Sequence, residues 1–218
     1  MNNMNNKDLK IMIIGSSGVG KTSFVQRYTK GVFSNDYKAT VISDFGFKIY
    51  NYNEDIYRVG LWDIGGQDKS NSMAKIFAKD CHGCIVITDL SINEKPETIL
   101  NWKEIINAES KFIDNESIPF ILIGSKIDLI EGEEKINIAE NRAKEICQKY
   151  GFLNYFLTSA KENINVEESM KYLIEYIINK INNFCKSNGL EFGQKRKDSM
   201  FLHKEKHFKR KKGISKCC

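Results

Sequence analysis

Apolar positions along the chain fall into two kinds of run. Four are short and continuous: Leu9–Ile14, Cys84–Asp89, Pro119–Gly124 and Asn154–Thr158. They read as strands, and Cys84–Asp89 and Pro119–Gly124 lack the polar alternation of a half-exposed strand, so burial on both faces is expected. Asp44–Tyr50 and Asp55–Asp63 are rich in β-formers and are split by Asn51-Tyr52-Asn53-Glu54, a hairpin turn. Elsewhere the apolar period is helical: about 22–29, 72–79, 97–111, 138–150 and 166–186. In the last of these, Val166, Met170, Leu173, Ile174, Ile177, Ile178, Ile181 and Phe184 recur on one face. Residues 33–43 are polar and loop-like. Buried strands alternating with helices predict an α/β fold. Its sheet is mostly parallel and six-stranded, covered by helices on both faces, with one antiparallel edge strand from the hairpin. No internal repeat is present.

At 218 residues a single domain with a proper core is the default. The periodic pattern spans 9–187, so 1–8 is expected as a disordered extension and 188–218 as a flexible tail. The 41% hydrophobic fraction and two prolines suit a globular chain, and no apolar run reaches the 18 residues of a membrane span. The polar start MNNMNNKDLK has no secretory core and no Gly at position 2 for myristoylation. A cytosolic setting is therefore expected, with the six cysteines as thiols. The net charge of +5 conceals a division: ten Lys/Arg and two Asp/Glu in 195–218 make the tail +8 and leave −3 for the rest.

Gly15-Ser16-Ser17-Gly18-Val19-Gly20-Lys21-Thr22 fits G-x-x-x-x-G-K-[ST] between a strand and a helix. Glycines let the backbone curl so that several N–H groups face one phosphate, and the helix N-terminus adds its dipole. Lys21 suits the outer phosphates and the Thr22 hydroxyl suits Mg²⁺. Asp63-Ile64-Gly65-Gly66-Gln67 ends the second β-run. There Asp63 can hold Mg²⁺ through water, Gly66 can bring its N–H to a γ-phosphate, and Gln67 can orient attacking water. Thr40 in the intervening loop can bind Mg²⁺ when GTP is present.

With Ser125-Lys126-Ile127-Asp128 and Thr158-Ser159-Ala160-Lys161 added, five motifs stand in order. The chain resembles the Ras superfamily of small GTPases, and within it the Rab family. Tyr37-Lys38-Ala39-Thr40, Asp44-Phe45, Leu61-Trp62-Asp63 and the terminal Cys217-Cys218 carry the Rab likeness. WDIGGQ and Asn101-Trp102-Lys103 resemble the subgroup serving lysosome-related organelles and melanosomes. The resemblance implies a switch in vesicle traffic that binds GTP or GDP with Mg²⁺ and hydrolyses GTP slowly. Gly15, Ser16, Ser17, Gly18, Val19, Gly20, Lys21, Thr22 and Ser23 would hold the phosphates. Thr22, Thr40 and Asp63 would hold the metal, and Gln67 would position water. Phe33 would pack on the base. Asp128 would accept from guanine N1–H and N2–H, Lys126 would lie along the base, and Ala160 N–H would donate to O6, supported by Ser159 and Lys161. Phe45, Trp62 and Phe77 would form an aromatic triad read by effectors. Implied partners are an exchange factor, an activating protein, effectors and escort or GDI-type carriers of the prenylated form.

Four departures matter. Ser125 stands where the family has Asn, so a hydrogen bond to the phosphate loop is expected to be lost, about 1–3 kcal/mol. Ile42 and Gly65 replace Gly and Ala, and Asp68-Lys69-Ser70 replaces Glu-Arg-Phe. Ser125, Ile42 and Gly65 leave open the alternative of a degenerate nucleotide-binding scaffold with little hydrolysis, against which Gln67, Thr40 and Lys21 stand. In the tail, Lys195-Arg196-Lys197 and Lys209-Arg210-Lys211-Lys212 precede Cys217 and Cys218, which resemble a double prenylation signal. Two lipids hold stably where one does not, and the basic clusters favour anionic cytosolic leaflets of an endomembrane. No nucleic-acid motif accompanies the basic run. Cys81-His82-Gly83-Cys84 is a lone C-x-x-C and reads as packing thiols; His203 and His207 lack further ligands.

Overall fold

The computed structural model describes residues 7–36, 40, 43–66, 72–89, 95–190 and 192. Six strands alternate with five helices: β1 Lys7–Ile14, α1 Lys21–Lys30, β2 Ser43–Tyr52, β3 Asp55–Ile64, α2 Ser72–Ala78, β4 Gly83–Asp89, α3 Pro96–Glu109, β5 Phe120–Ser125, α4 Glu133–Tyr150, β6 Asn154–Leu157 and α5 Val166–Ser187. The strands form one sheet in the order β2-β3-β1-β4-β5-β6. Only β2 and β3 pair antiparallel; all other neighbours are parallel. This is the architecture expected from the run pattern, and β4 and β5 are buried along their whole length.

Strand order reverses at β1, and ligands of parallel sheets bind at such switch points, beyond the strand C-termini. The register makes this edge coherent. Ile13 lies beside Asp63 and Ile85, Asp89 beside Ser125, and Gly124 beside Leu157. The loops carrying all five motifs therefore leave from one side of the sheet.

Alternation along β2 separates the two faces. Lys48, Tyr50 and Tyr52 reach Glu167, Glu175 and Asn179 of α5. Phe45 points the other way, onto Trp62 and through it to Phe77 of α2. The α5 stripe supplies the deepest packing: Met170, Leu173, Ile174 and Ile177 are fully buried. A Cβ on Gly83 would come within 2.6 Å of Ile177, so β4 and α5 meet as closely as a glycine allows.

Element ends differ from the periodic reading where polar residues carry them. α4 begins at Glu133 rather than near 138, because its first turn is acidic, not apolar, and Glu133 and Glu134 complement the helix dipole. β1 begins at Lys7, inside the expected extension, because Lys7 and Asp8 pair with Tyr57 and Arg58. Ion pairs Lys7–Asp55 at 2.6 Å and Arg58–Asp8 at 2.8 Å accompany them. The expected tail also starts late. Leu190 N–H donates to Cys185 O at 2.8 Å, and the Phe192 ring lies 6.0 Å from Tyr57. The hairpin turn is shorter than Asn51–Glu54: Tyr52 pairs with Asp55, and Asn53 takes φ 54°.

Cys81 and Cys84 are core thiols, with burial pushing Cys81 up to about 12. His82 between them extends the β1–β4 ladder. Its N–H donates to Lys10 O at 2.8 Å, and Lys10 N–H donates to its Nδ1 at 3.0 Å. Burial pushes the imidazole down to about 4 from an ordinary 6.5. The folded state thus prefers it neutral, and this stability is complete above pH 6.5 and lost as pH falls toward 4. The melting temperature of the wild type is expected to fall more steeply over that window than that of His82→Asn. Parallel curves would show that His82 does not titrate with folding.

Candidate functional site

Residues 15–20 carry the chain from β1 to α1, and three of them have positive φ: Gly15 at 141°, Gly18 at 77° and Gly20 at 96°. At Gly15 glycine is required twice, since a Cβ there would also lie 2.1 Å from Ile87 O of β4. Val19 is buried and anchors the loop. Lys21, 6% exposed, folds back to donate to Gly15 O at 2.9 Å and Ser16 O at 2.8 Å. The ammonium is thereby held inside the curl that its own loop makes.

Asp63, at the end of β3, is fully buried. Thr22 Oγ1 donates to its Oδ2 at 2.5 Å and lies 2.8 Å from Thr40 Oγ1. Asp63 Oδ1 is buried with no hydrogen-bond partner among the described residues. Burial raises the Asp63 pKa, opposed by the Thr22 hydroxyl and the Lys21 charge. Three oxygen-bearing side chains from three separate segments thus converge beside the phosphate loop. Gly66 presses on the same loop: a Cβ there would stand 2.5 Å from Ser16 C and Ser17 N.

The third wall comes from β5 and the loop after β6. Ser125, 7% exposed, places its Oγ 2.6 Å from Val19 O and 3.0 Å from Thr88 O. The expected loss of a tie to the phosphate loop therefore does not occur. A serine on this buried strand end is close enough to donate to the loop directly, and the shorter arm is compensated by position. Lys126, with φ 61°, donates to Gly18 O at 2.7 Å and pairs with Asp89 at 2.7 Å. Ser159 Oγ donates to Asp128 Oδ1 at 2.5 Å and accepts from Glu162 N–H at 3.0 Å. Arg27 of α1 donates to Ala160 O at 2.6 Å and Lys161 O at 3.0 Å.

These walls enclose a cleft of about 500 Å³. Ser17, Gly18, Gly20, Lys21, Thr22, Ser23, Phe33, Thr40, Gly66, Ser125, Lys126, Asp128, Ala160 and Lys161 all line it. Gly15, Ser16, Val19, Asp63 and Ser159 stand behind that lining as supports. Gln67, Ile42, residues 68–70 and Cys217 and Cys218 lie outside the described residues. The aromatic triad assembles across β2, β3 and α2, apart from the cleft lining, with ring centroids 5.0 Å apart for Phe45–Trp62 and 5.1 Å for Trp62–Phe77. Two supporting residues were not singled out from the sequence. Asp89 had a visible signal, a carboxylate closing an apolar run; Arg27 had none, because its partners at the cleft, Ala160 and Lys161, lie more than 130 residues away.

Ser125→Ala would leave the buried Val19 and Thr88 carbonyls without this donor. Release of a bound nucleotide is expected to quicken roughly 5–150-fold, the equivalent of one such bond. Stopped-flow release of a fluorescent GDP analogue measures it, and an unchanged rate would mean that the hydroxyl does not brace the loop.

Comparison with known proteins agrees with this geometry. The Ras family matches residues 10–179. The Ras-related protein Rab-32 of Homo sapiens is 34% identical over 170 residues, covering 78% of this chain and 74% of its own length. Rab-32 of Sus scrofa is 32% identical over 212 residues, 96% of this chain and 88% of its own. RABG3f of Arabidopsis thaliana is 36% identical over 163 residues, 75% of this chain and 79% of its own. With the phosphate loop, Asp63 and the base-side loops gathered on one sheet edge, the chain belongs to the Ras family as a Rab-type small GTPase, a GTP-hydrolysing switch of membrane traffic.

Proposed function

We propose that the cleft binds GTP or GDP together with Mg²⁺, and that the bound nucleotide decides how Thr40 and Gly66 are held. The unpartnered Asp63 oxygen carries this reading. A buried carboxylate facing two threonine hydroxyls keeps one oxygen unpaired among the described residues, and burial outweighs the help that Lys21 and Thr22 give its charge; a hard divalent cation with oxygen ligands fits that donor set. Thr22 and Thr40 would hold the ion directly and Asp63 through water. Mg²⁺ bound there supplies positive charge for the outer phosphates.

The chain's own groups do the rest. Lys21 exchanges its loop carbonyls for β- and γ-phosphate oxygens, and the N–H groups of 17–22 converge on the same charge. Phe33 packs against the base. Asp128, already oriented by Ser159, accepts from guanine N1–H and N2–H, and Lys126 lies along the ring. Ala160 N–H donates to O6. Gln67 orients the attacking water, and an activating protein completes the catalytic site in trans. Hydrolysis removes the γ-phosphate that held Thr40 and Gly66, so the surface around Phe45, Trp62 and Phe77 changes for effectors.

Cys217 and Cys218 carry two prenyl groups in this reading, with the basic tail against an anionic leaflet of an endosome-like or lysosome-related compartment. Escort and GDI-type carriers would hold the GDP form in the cytosol, and an exchange factor would reload it. The WDIGGQ stretch and the likeness to Rab-32 proteins support that compartment.

Competition against a fluorescent GDP analogue tests the cleft. GTP and GDP are expected to displace it and ATP is not, and chelating Mg²⁺ is expected to speed release. Equal displacement by ATP would remove guanine selection, and release indifferent to chelation would remove the metal. In cells, the Cys217→Ser/Cys218→Ser double variant is expected to move from membranes to the soluble fraction. Unchanged membrane recovery would remove the lipid anchor.

A further inference from the structure

We propose that Arg27 is a positioning residue for guanine: its guanidinium sets the 159–161 turn at a fixed distance from the phosphate loop and so aims Ala160 N–H at the base oxygen. The proposal rests on the assignment of guanine nucleotide to the cleft.

The guanidinium donates to three backbone carbonyls. Nε–H reaches Ala160 O at 2.6 Å, Nη2 reaches Lys161 O at 3.0 Å and Nη1 reaches Gly31 O at 2.7 Å. Gly31 N–H in turn donates to Arg27 O at 3.0 Å, closing the last turn of α1. One side chain therefore joins three places: the end of α1, the base-side turn, and the root of the 32–36 loop, whose Phe33, Ser34, Asn35 and Asp36 line the cleft.

Peptide planarity shows what the grip accomplishes. Ser159 C=O accepts from Ile164 N–H at 2.9 Å, so that carbonyl points at the 164 segment. Ala160 N–H belongs to the same trans peptide and points the opposite way. Arg27 holds the next two peptides by their oxygens. Ala160 is thus fixed from both sides, with its N–H directed away from Ile164, and the residue lines the cleft.

Spacing adds the second half of the argument. Arg27 and Lys21 share α1, six residues apart, a rise of about 9 Å at 1.5 Å per residue. A rigid helix therefore carries the phosphate ammonium near its start and the anchor of the base turn near its end. It holds the two ends of a nucleotide site at a set separation. A lysine at 27 would keep the charge but not the planar fork that meets several oxygens at once.

Arg27→Met keeps the aliphatic stem and removes the fork. The measurements are release rates and competition constants for GDP, 6-thio-GDP, which alters the O6 position, and IDP, which lacks the N2 amino group. For Arg27→Met, GDP release is expected to be roughly tenfold faster, the equivalent of losing about one hydrogen bond. Its preference for GDP over 6-thio-GDP is expected to shrink toward one, while its preference for GDP over IDP, set by Asp128, stays at the wild-type value. Arg27→Lys is expected to fall between Met and wild type. The proposal is overturned if both preferences shrink together, which marks general loosening, or if neither changes in Arg27→Met. If Arg27→Met does not fold, Arg27→Lys decides, and equality with wild type in release and in the 6-thio-GDP ratio overturns it. A wild type that prefers GDP over ADP but does not separate GDP from 6-thio-GDP overturns the O6 role alone. A wild type that fails to prefer GDP over ADP removes the guanine assignment itself, and the proposal with it.

Discussion

The molecule depends on how closely the backbone of its phosphate loop can pass over the strand ends. Gly15 lies so near β4 that a Cβ would stand 2.1 Å from Ile87 O, and Gly66 lies so near residues 16 and 17 that a Cβ would stand 2.5 Å away. Two glycines from separate motifs thus let three segments share one small volume. The parallel register of β3, β1, β4 and β5 brings them there: β1 and β3 end level, and β4 and β5 run three residues further, so Ile87 lies beside the start of the loop.

Closely packed loops carry backbone carbonyls that no ladder satisfies, and cationic side chains answer six of them here. Lys21 takes Gly15 and Ser16, Lys126 takes Gly18, and Arg27 takes Ala160, Lys161 and Gly31. Ser125 adds a neutral donor at Val19. Charged donors make stronger hydrogen bonds than neutral ones, so the walls of the cleft are held by the chain itself. The base-side walls are thus preorganised, whereas Lys21 has to give up its loop carbonyls to reach a phosphate. Asp63 is the exception, a buried carboxylate with one oxygen that has no hydrogen-bond partner among the described residues.

The other face of the β2–β3 hairpin follows a different logic. Lys48, Tyr50 and Tyr52 are tied to α5, whereas Phe45, Phe47 and Ile49 are each more than half exposed. Lys10 stands 5.1 Å from the Trp62 ring and donates to Lys79 O at 2.7 Å beyond the end of α2. The triad is therefore braced against both the sheet and α2, on strands that adjoin Thr40 and Gly66, the residues proposed to respond to the nucleotide. A change in those loops has a short physical path to the aromatic surface.

Much of this was legible from order and spacing. The alternation of buried runs with helical periods sufficed for a parallel sheet with one antiparallel hairpin, because side-chain periodicity is a local property. The glycine-rich loop and Asp63 stood out by residue type and spacing, and the SKID and SAK stretches through the family resemblance; the structure gathers all four on one cleft or directly behind its lining. Boundaries were less legible: α4 starts on charged residues, and β1 starts on residues held by ion pairs to β3. Ser125 was misjudged because its cost depended on a distance, and 2.6 Å to Val19 O exists only once β5 lies beside β4 and the phosphate loop. Arg27 was invisible for the same reason, two of its three acceptors being 133 and 134 residues away. Sequence by itself determined which elements form and which chemistry they carry, since both follow from neighbours along the chain. Only the tertiary structure decided which side chains brace that chemistry, since bracing is a matter of distance between segments that no local pattern encodes.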